Sequence, residues 1–146
     1  MEEPSNLLIR STCAALVITC SDFRFKSAEH AFIEACGLTD DYDLIARPGA
    51  ARSLVAPRSA AAGQTMHEEI RLLWTLHSFT RILLVNHVSC RAYDDIATAA
   101  NEYEIHEQHL LAAAATLARA YPDVTPETYL ADTAPEGIEV RRVHST

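Results

Sequence analysis

The sequence is short of positive charge. Its 12 Lys and Arg residues are outnumbered by 20 Asp and Glu residues, so the formal net charge is −8. A protein that binds a nucleic-acid backbone needs a basic surface. The charge balance therefore predicts no nucleic-acid partner. The net charge does not identify any particular partner or function, because a modest acidic excess is common in proteins.

Apolar runs long enough to cross a bilayer are also missing, so no membrane partner is expected. The opening "MEEPSNLL" has neither the positive segment nor the apolar segment of a secretory signal. Both absences predict a cytoplasmic protein. In that compartment Cys13, Cys20, Cys36 and Cys90 stay reduced, and a reduced cysteine is free to bind metal.

Internal repeats and low-complexity linkers are absent as well. The 146 residues suit one domain with a substantial core. The hydrophobic content of 49% excludes global disorder. We therefore expect residues 1–146 to form a single domain.

Short, almost wholly apolar segments alternate with amphipathic ones. The segments "CAALVIT", "YDLIARPG" and "RILLVNH" are typical of strands buried in a parallel sheet. Two further strands, "ETYLADT" and "GIEVRRV", flank a tight "APEG" connection. The order β-α-β-α-β-α-β-β predicts an α/β fold. We expect a mostly parallel β-sheet of strand order about 2-1-3-4, with a C-terminal antiparallel edge strand and flanking helices.

Three helices are expected between these strands. The first, in "SAEHAFIEACG", is predicted to end at Gly37. The second is predicted to begin at the capping box formed by Thr65 and Glu68 and to run to about residue 79. The third is expected to cover roughly 94–120, with an interruption near Asn101.

Possible metal ligands follow two of the predicted strands. Cys20 comes directly after the first strand, His87 ends the third, and Cys90 completes an H-x-x-C arrangement. Folds of this class bind ligands at the carboxyl ends of strands, where the strand order reverses. Two thiols and one imidazole form a typical zinc set with a fourth position open. The spacing alone leaves open that these are ordinary core residues.

The segments "CSDFR", "ARPGA" and "HVSC" together resemble the three signature segments of the β-class carbonic anhydrases. The final "TYLADTAPEGIEVRRV" resembles the terminal strand pair of that family, so the likeness covers nearly all of the chain. It implies that Cys20, His87 and Cys90 bind one zinc ion per chain. It also implies a homodimer or a higher homo-oligomer, with pockets near a subunit interface.

The resemblance further implies a catalytic dyad of Asp22 and Arg24. In the family, zinc-bound hydroxide attacks carbon dioxide and yields bicarbonate, so the implied substrate is a small molecule. Asp22 would accept a hydrogen bond from the hydroxide, and Arg24 would hold Asp22 ionised and away from the metal. An ordinary surface ion pair is the alternative. Arg47 and Gly49 are further candidates for shaping the pocket, Gly49 through a positive φ or a close backbone approach.

The chain departs from the family pattern at three places. Arg91 stands where the family usually has glycine, so we expect it within reach of the pocket, as an obstacle or as an anion ligand. Ser89 stands where many members carry aspartate or threonine. The family also uses a glutamine ahead of the first strand to bind substrate, and this sequence has no Gln before Cys20.

These departures leave three alternatives to carbon dioxide hydration. The same zinc site would serve hydrolysis of carbonyl sulfide or carbon disulfide. A zinc-binding domain that has lost catalysis is the second alternative, and Arg91 and the missing glutamine favour it. A small-molecule-binding α/β domain without metal is the third.

Other cysteine and histidine side chains are interpreted as structural. His106 and His109 are assigned to a solvated polar face of the third helix rather than to a second metal site. Cys13 and Cys36 are predicted to pack in the core. His77 falls in the second helix, and the sequence identifies no partner for it.

Overall fold

A computed structural model gives the fold of residues 4–144. Five strands form one sheet: β1 (Ala15–Thr19), β2 (Tyr42–Ala46), β3 (Arg81–His87), β4 (Thr125–Ala134) and β5 (Gly137–Arg142). The helices are α1 (Pro4–Leu8), α2 (Lys26–Ala35), α3 (Arg52–Val55), α4 (Ala60–His77) and α5 (Glu102–Ala120). Short 3₁₀ turns follow β1 at Phe23–Phe25 and β3 at Arg91–Tyr93.

The strand order is β2-β1-β3-β4-β5. The pairs β1–β2, β1–β3 and β3–β4 are parallel, and β4–β5 is antiparallel. The predicted α/β fold with an antiparallel C-terminal edge is therefore confirmed. The register pairs Thr19 with Val85 at the end of β1, so the segments that follow β1 and β3 leave the sheet side by side.

Strand β1 is buried throughout because both faces of the sheet are covered. Leu16 and Ile18 face the larger core, which includes Met66 of α4 and Leu110 of α5. Alternate residues of the same strand, such as Val17, belong to a second core on the side of α2. Burial on both faces explains why the sequence of this strand is apolar without alternation.

Helix α2 ends as predicted. Gly37 has a φ of 75°, and its N–H donates to the carbonyl oxygen of Glu34. The N–H of Leu38 donates to the carbonyl oxygen of Ile33. These two bonds form a Schellman cap, which needs the left-handed conformation that glycine adopts without strain.

Helix α4 begins earlier than predicted. Ser59 caps it by accepting a hydrogen bond from the N–H of Ala62 at 3.1 Å, so Thr65 lies inside the helix. The capping-box prediction was wrong because the first turns are rich in alanine and glycine and give no amphipathic pattern. The helix ends at His77, two residues before the predicted end, where Ser78 adopts a left-handed conformation.

Helix α5 begins at Glu102, so the prediction of helix from residue 94 was wrong for its first eight residues. Asn101 precedes the helix and accepts a hydrogen bond from the N–H of Thr98 at 2.7 Å. The interruption expected near Asn101 is therefore the start of the helix. None of the helices within residues 4–144 is both long and apolar enough to cross a membrane.

Candidate metal centre

Cys20, His87 and Cys90 meet at the carboxyl edge of the sheet. Their candidate ligand atoms all lie within 4.8 Å of one another, and all three residues are buried. Strands β1 and β3 are neighbours, so the residue after β1 and the last residue of β3 come together. The structure thus brings together the three side chains that the strand order indicated.

His87 offers one nitrogen to the cluster. Its Nδ1 lies 2.7 Å from the carbonyl oxygen of Val88, so Nδ1 carries the proton and donates it there. The ring stacks on Phe25 with 4.1 Å between centroids, which fixes its plane. Nε2 therefore presents a lone pair, and this buried atom has no hydrogen-bond partner among residues 4–144.

The two thiols are close enough to share a proton. Sγ of Cys20 and Sγ of Cys90 are 3.8 Å apart. This hydrogen bond lowers the pKa of Cys20 and raises the pKa of Cys90. The N–H of Gly49 points at Sγ of Cys20 at 3.3 Å and stabilises negative charge there.

This donor set fits zinc. Two sulfur atoms and one imidazole nitrogen match the ligands that the ion takes in proteins, and three protein ligands leave one tetrahedral position open. A buried lone pair without a partner costs free energy unless a cation or a donor binds it. The unpaired Nε2 of His87 is the observation that favours a bound cation here.

Asp22 and Arg24 form a rigid pair beside this cluster. Nε of Arg24 lies 3.1 Å from Oδ1 of Asp22, and the terminal nitrogen NH2 lies 2.6 Å from Oδ2. The backbone N–H of Arg24 also donates to Oδ1, at 2.9 Å. These hydrogen bonds lower the pKa of Asp22 to about 2. Asp22 is therefore a carboxylate, and its Oδ2 lies 3.7 Å from Nε2 of His87.

A second anchor for the dyad was not predicted from the sequence. NH2 of Arg24 also donates to the carbonyl oxygen of Ser89 at 2.8 Å. Ser89 has a φ of 54°, and its N–H donates to Oε1 of Glu102 at 2.6 Å. Arg24 is thus tied both to Asp22 and to the loop that carries Cys90, and Glu102 at the start of α5 holds that loop. A backbone acceptor of this kind leaves no signal in the side-chain sequence.

A cleft of about 380 Å³ opens beside Cys90, between the loop after β3 and the start of α5. Its lining includes Arg24, Ser89, Arg91 and His106. The side chain of Arg91 is 90% exposed, and its nearest carboxylate is Asp94 at 3.7 Å. The residue therefore lies at the rim of the cleft, and its guanidinium extends into solvent rather than toward the thiols.

The two loop candidates lie in different places. Gly49 has a φ of 85° and lies against the cluster through its N–H. Arg47 does not line the cleft beside Cys90. It pairs with Glu69 of α4 and lines a separate cleft of about 300 Å³ with Pro57. The Arg47 side chain extends from the loop toward α4, and its role in shaping a substrate pocket stays a prediction.

Helix α5 contributes a buried histidine rather than a solvated face. His106 is 1% exposed, and Nδ2 of Asn86 lies 3.0 Å from its Nδ1. The N–H of Ala51 donates to Oδ1 of Asn86 at 3.0 Å, so Nδ2 of Asn86 must be the donor to His106. Nδ1 of His106 then accepts, and Nε2 carries the proton. The prediction of a solvated face was wrong because His106 is buried and Asn86 binds its Nδ1 inside the protein.

The proton on Nε2 of His106 has no acceptor among residues 4–144, and the atom is buried. Burial lowers the pKa of His106 to about 4, so the ring is neutral at neutral pH. The same amide of Asn86 donates to the hydroxyl of Tyr93, which lies 2.9 Å from Nδ1 of His109. The structure therefore holds a neutral donor at the wall of the cleft beside Cys90.

Comparison with protein families and curated proteins gives matches over most of the chain. The family described as "Putative carbonic anhydrase" matches residues 10–140. Among curated proteins, an uncharacterized protein of Rickettsia bellii is 29% identical over 123 residues, which cover 80% of this chain and 75% of that protein. An uncharacterized protein of Rickettsia conorii is 27% identical over 123 residues, which cover 80% and 66%.

Solved structures with a similar fold include carbonic anhydrases. The enzyme of Streptococcus mutans superposes with a TM-score of 0.59 at 15% identity, covering 93% of this chain and 86% of that one. The β-carbonic anhydrase CafD of Aspergillus fumigatus gives a TM-score of 0.54 at 12% identity, covering 96% and 94%. At these identities the similarity establishes the fold.

Proposed function

The chain belongs to this carbonic anhydrase family, and from that membership we propose that it hydrates carbon dioxide to bicarbonate on a zinc ion held by Cys20, His87 and Cys90. The observation that carries the proposal is the buried cluster of two thiols and one unpaired imidazole nitrogen. It stands beside a carboxylate that is already held by an arginine.

Zinc, when bound, supplies a water acidic enough to act as a nucleophile near neutral pH. The task of Asp22 is to orient that water. With zinc bound, one oxygen of Asp22 would accept a hydrogen bond from this water and would orient it toward the substrate. Asp22 can do this over the whole neutral range because its pKa is lowered to about 2.

Arg24 keeps Asp22 from becoming a metal ligand. A free carboxylate two residues after Cys20 would be well placed to take the fourth position. The two parallel bonds from the guanidinium occupy its oxygens instead. The additional bond to the carbonyl oxygen of Ser89 stops the arginine from moving with the carboxylate.

His106 supplies a donor for substrate oxygen. The family uses a glutamine before the first strand, and this chain has none there. The Nε2 proton of His106 is buried, has no acceptor among residues 4–144 and belongs to a residue that lines the cleft beside Cys90. A hydrogen bond to the oxygen of carbon dioxide that gains charge as bicarbonate forms would favour the transition state.

The direct test is hydration of carbon dioxide by the purified, zinc-loaded protein, measured by stopped flow alongside metal content. We expect hydration well above the buffer rate and a loss of both zinc and hydration in Cys20→Ser. Sulfide release from carbonyl sulfide and from carbon disulfide is measured on the same sample. Faster release of sulfide than hydration would identify a hydrolase. Full zinc with neither activity would identify a domain that has lost catalysis.

A homo-oligomer, a cytoplasmic location and a single domain stay predictions. So does the assignment of the three zinc ligands, which the metal analysis addresses.

A further inference from the structure

A second set of metal-binding side chains meets at the opposite, amino edge of the sheet. Cys13 precedes β1, Asp43 lies in β2, and His77 is the last residue of α4. Candidate ligand atoms of the three residues lie within 4.8 Å of one another. Each residue comes from a separate segment of the chain, so only the fold brings them together.

The backbone holds these residues in place. The N–H of Cys13 donates to the carbonyl oxygen of His77 at 3.2 Å, which joins the start of β1 to the end of α4. Asp43 is opposite Leu16 in the parallel ladder of β1 and β2. A site built on fixed backbone positions loses little entropy when a ligand binds.

The surroundings favour a cation. The three side chains line a small cleft of about 160 Å³ together with Asp40 and Arg10. Arg10 also forms an ion pair with Asp41 at 2.7 Å. Counting the carboxylate of Asp43, three carboxylates and one guanidinium leave an excess of negative charge, which a divalent cation would neutralise.

A Cys-His-Asp group could instead be a nucleophilic relay. In such a relay the thiol and the carboxylate contact opposite nitrogens of the imidazole, so the ring separates them. Here Nδ1 of His77 lies 2.7 Å from Oδ2 of Asp43, and the thiol of Cys13 is within 4.8 Å of both partners. The three groups form a compact triangle around one point, which is the arrangement of metal ligands.

We propose that Cys13, Asp43 and His77 form a second transition-metal site that takes zinc or a similar cation. A ligand set of one sulfur, one nitrogen and one oxygen suits zinc and does not suit magnesium or calcium, which prefer oxygen alone. Zinc binds such ligands at about 2.0–2.3 Å, so small rotations of these side chains close the triangle. Two of them, Asp43 and His77, are 17% and 38% exposed and have room to rotate.

The role of this site is structural. A cation bound there joins the end of α4 to the starts of β1 and β2, and it stabilises the folded chain by mass action. The proposal stands independently of carbon dioxide hydration, because it uses none of the residues at the carboxyl edge.

The test measures zinc per chain by mass spectrometry after the full chain is loaded and dialysed against metal-free buffer. The proteins compared are the wild type, Cys13→Ser, Asp43→Asn and Cys36→Ser. Cys36 is a matched control because it is also half-buried and belongs to no metal-binding group within residues 4–144. We expect Cys13→Ser and Asp43→Asn each to hold one zinc fewer than the wild type, and Cys36→Ser to match it.

Thermal unfolding with and without added zinc gives a second measurement. Zinc should raise the melting temperature of the wild type and Cys36→Ser more than that of Cys13→Ser or Asp43→Asn. Equal zinc content in all four proteins, with equal thermal responses, would overturn the proposal. If Cys13→Ser fails to fold, Asp43→Asn alone decides. The test compares the zinc content of variants with that of the wild type. Any zinc bound by the carboxyl-edge cluster is the same in all four proteins, so the result does not depend on whether that cluster binds metal.

Discussion

At the carboxyl edge of the sheet, buried polar groups converge on one point, whereas at the amino edge, outside the group of Cys13, Asp43 and His77, charged side chains pair with one another. The carboxyl edge holds two buried thiols and two histidine nitrogens, on His87 and His106, that have no partner among residues 4–144. The amino edge holds ion pairs such as Arg81–Glu127 and Arg10–Asp41. Unsatisfied groups are expected where a ligand binds, and paired charges where the fold is stabilised.

The largest effect is expected from Arg24→Ala, which breaks the arrangement at the carboxyl edge. Asp22 loses the bonds that hold both of its oxygens, so under the proposed function it would be free to bind the zinc ion in place of the water. We expect hydration to fall by at least about 100-fold, the scale of a misplaced catalytic group. Zinc content should stay unchanged, as measured by mass spectrometry.

Two further variants sharpen this result. Arg24→Lys should also be impaired, because an ammonium cannot form two parallel bonds. Arg119→Ala is the control, since this exposed arginine lies in the last turn of α5, at the opposite end of the helix from the cleft beside Cys90. Retained hydration in Arg24→Ala would show that Arg24 does not hold Asp22 off the metal, and lost zinc would show a structural role instead.

The next largest effect is expected on stability, from Glu127→Gln, which removes a paired charge at the amino edge. Burial opposes ionisation of Glu127, but hydrogen bonds from Arg81 and Tyr129 outweigh it and lower the pKa of Glu127. A carboxyl with a lowered folded-state pKa stabilises the protein above its usual pKa of about 4.3 and loses that contribution as the pH falls further. We expect Glu127→Gln to cost about 1–3 kcal/mol at pH 7, and the difference from wild type to shrink toward pH 3.

Urea unfolding at both pH values measures this difference. Glu139→Gln, on the exposed face of β5, is the control and should change the free energy of unfolding little at either pH. A cost for Glu127→Gln that is the same at pH 3 as at pH 7 would mean that charge pairing does not stabilise this edge.

A smaller effect is expected from removing the donor on His106. His106→Phe keeps a ring in the wall of the cleft but has no N–H, so kcat/KM should fall about tenfold, the worth of one hydrogen bond. His106→Gln, which keeps an N–H donor, should recover part of that loss. His109→Phe is the control, because His109 bonds to Tyr93 and does not belong to the cleft lining.

Stopped-flow hydration at several carbon dioxide concentrations separates kcat from KM for these variants. A fall for His109→Phe equal to that for His106→Phe would assign both residues to packing around Tyr93. No recovery in His106→Gln would point to the same conclusion.

The smallest effect is expected at Arg91. Its side chain is 90% exposed, so Arg91→Gly should change kcat/KM for hydration less than about twofold, within the usual range for a surface change. Inhibition by bicarbonate should also stay the same. A clear rise in rate would show that the arginine obstructs the pocket, and a clear fall would show that it binds an anion.

The strands and the carboxyl-edge cluster could be predicted because both depend on local patterns. Wholly apolar runs indicate strands covered on both faces, and the ends of neighbouring parallel strands must meet. The start of α4 could not be predicted in this way. Ser59 and Thr65 are both residue types that cap helices, and the alanine-rich segment between them has no apolar pattern that favours one over the other. Only the structure shows that Ser59 is the cap.

The missed residues depend on contacts between distant segments. His106 looks like a surface residue until Asn86, 20 positions away, is found beside it. The bond from Arg24 to the carbonyl oxygen of Ser89 spans 65 positions and involves a backbone atom that every residue has. No spacing rule links such pairs, so only the folded structure identifies them.

The central claim is that Cys20, His87 and Cys90 hold a catalytic zinc ion. Its most direct test measures zinc per chain and carbon dioxide hydration in a protein that carries Cys13→Ser. This substitution removes a ligand of the amino-edge site, so the zinc that is measured belongs to the carboxyl-edge cluster. We expect one zinc per chain and active protein in that background, and almost no zinc or hydration when Cys90→Ser is added. One zinc per chain with undiminished hydration after Cys90→Ser would contradict the account.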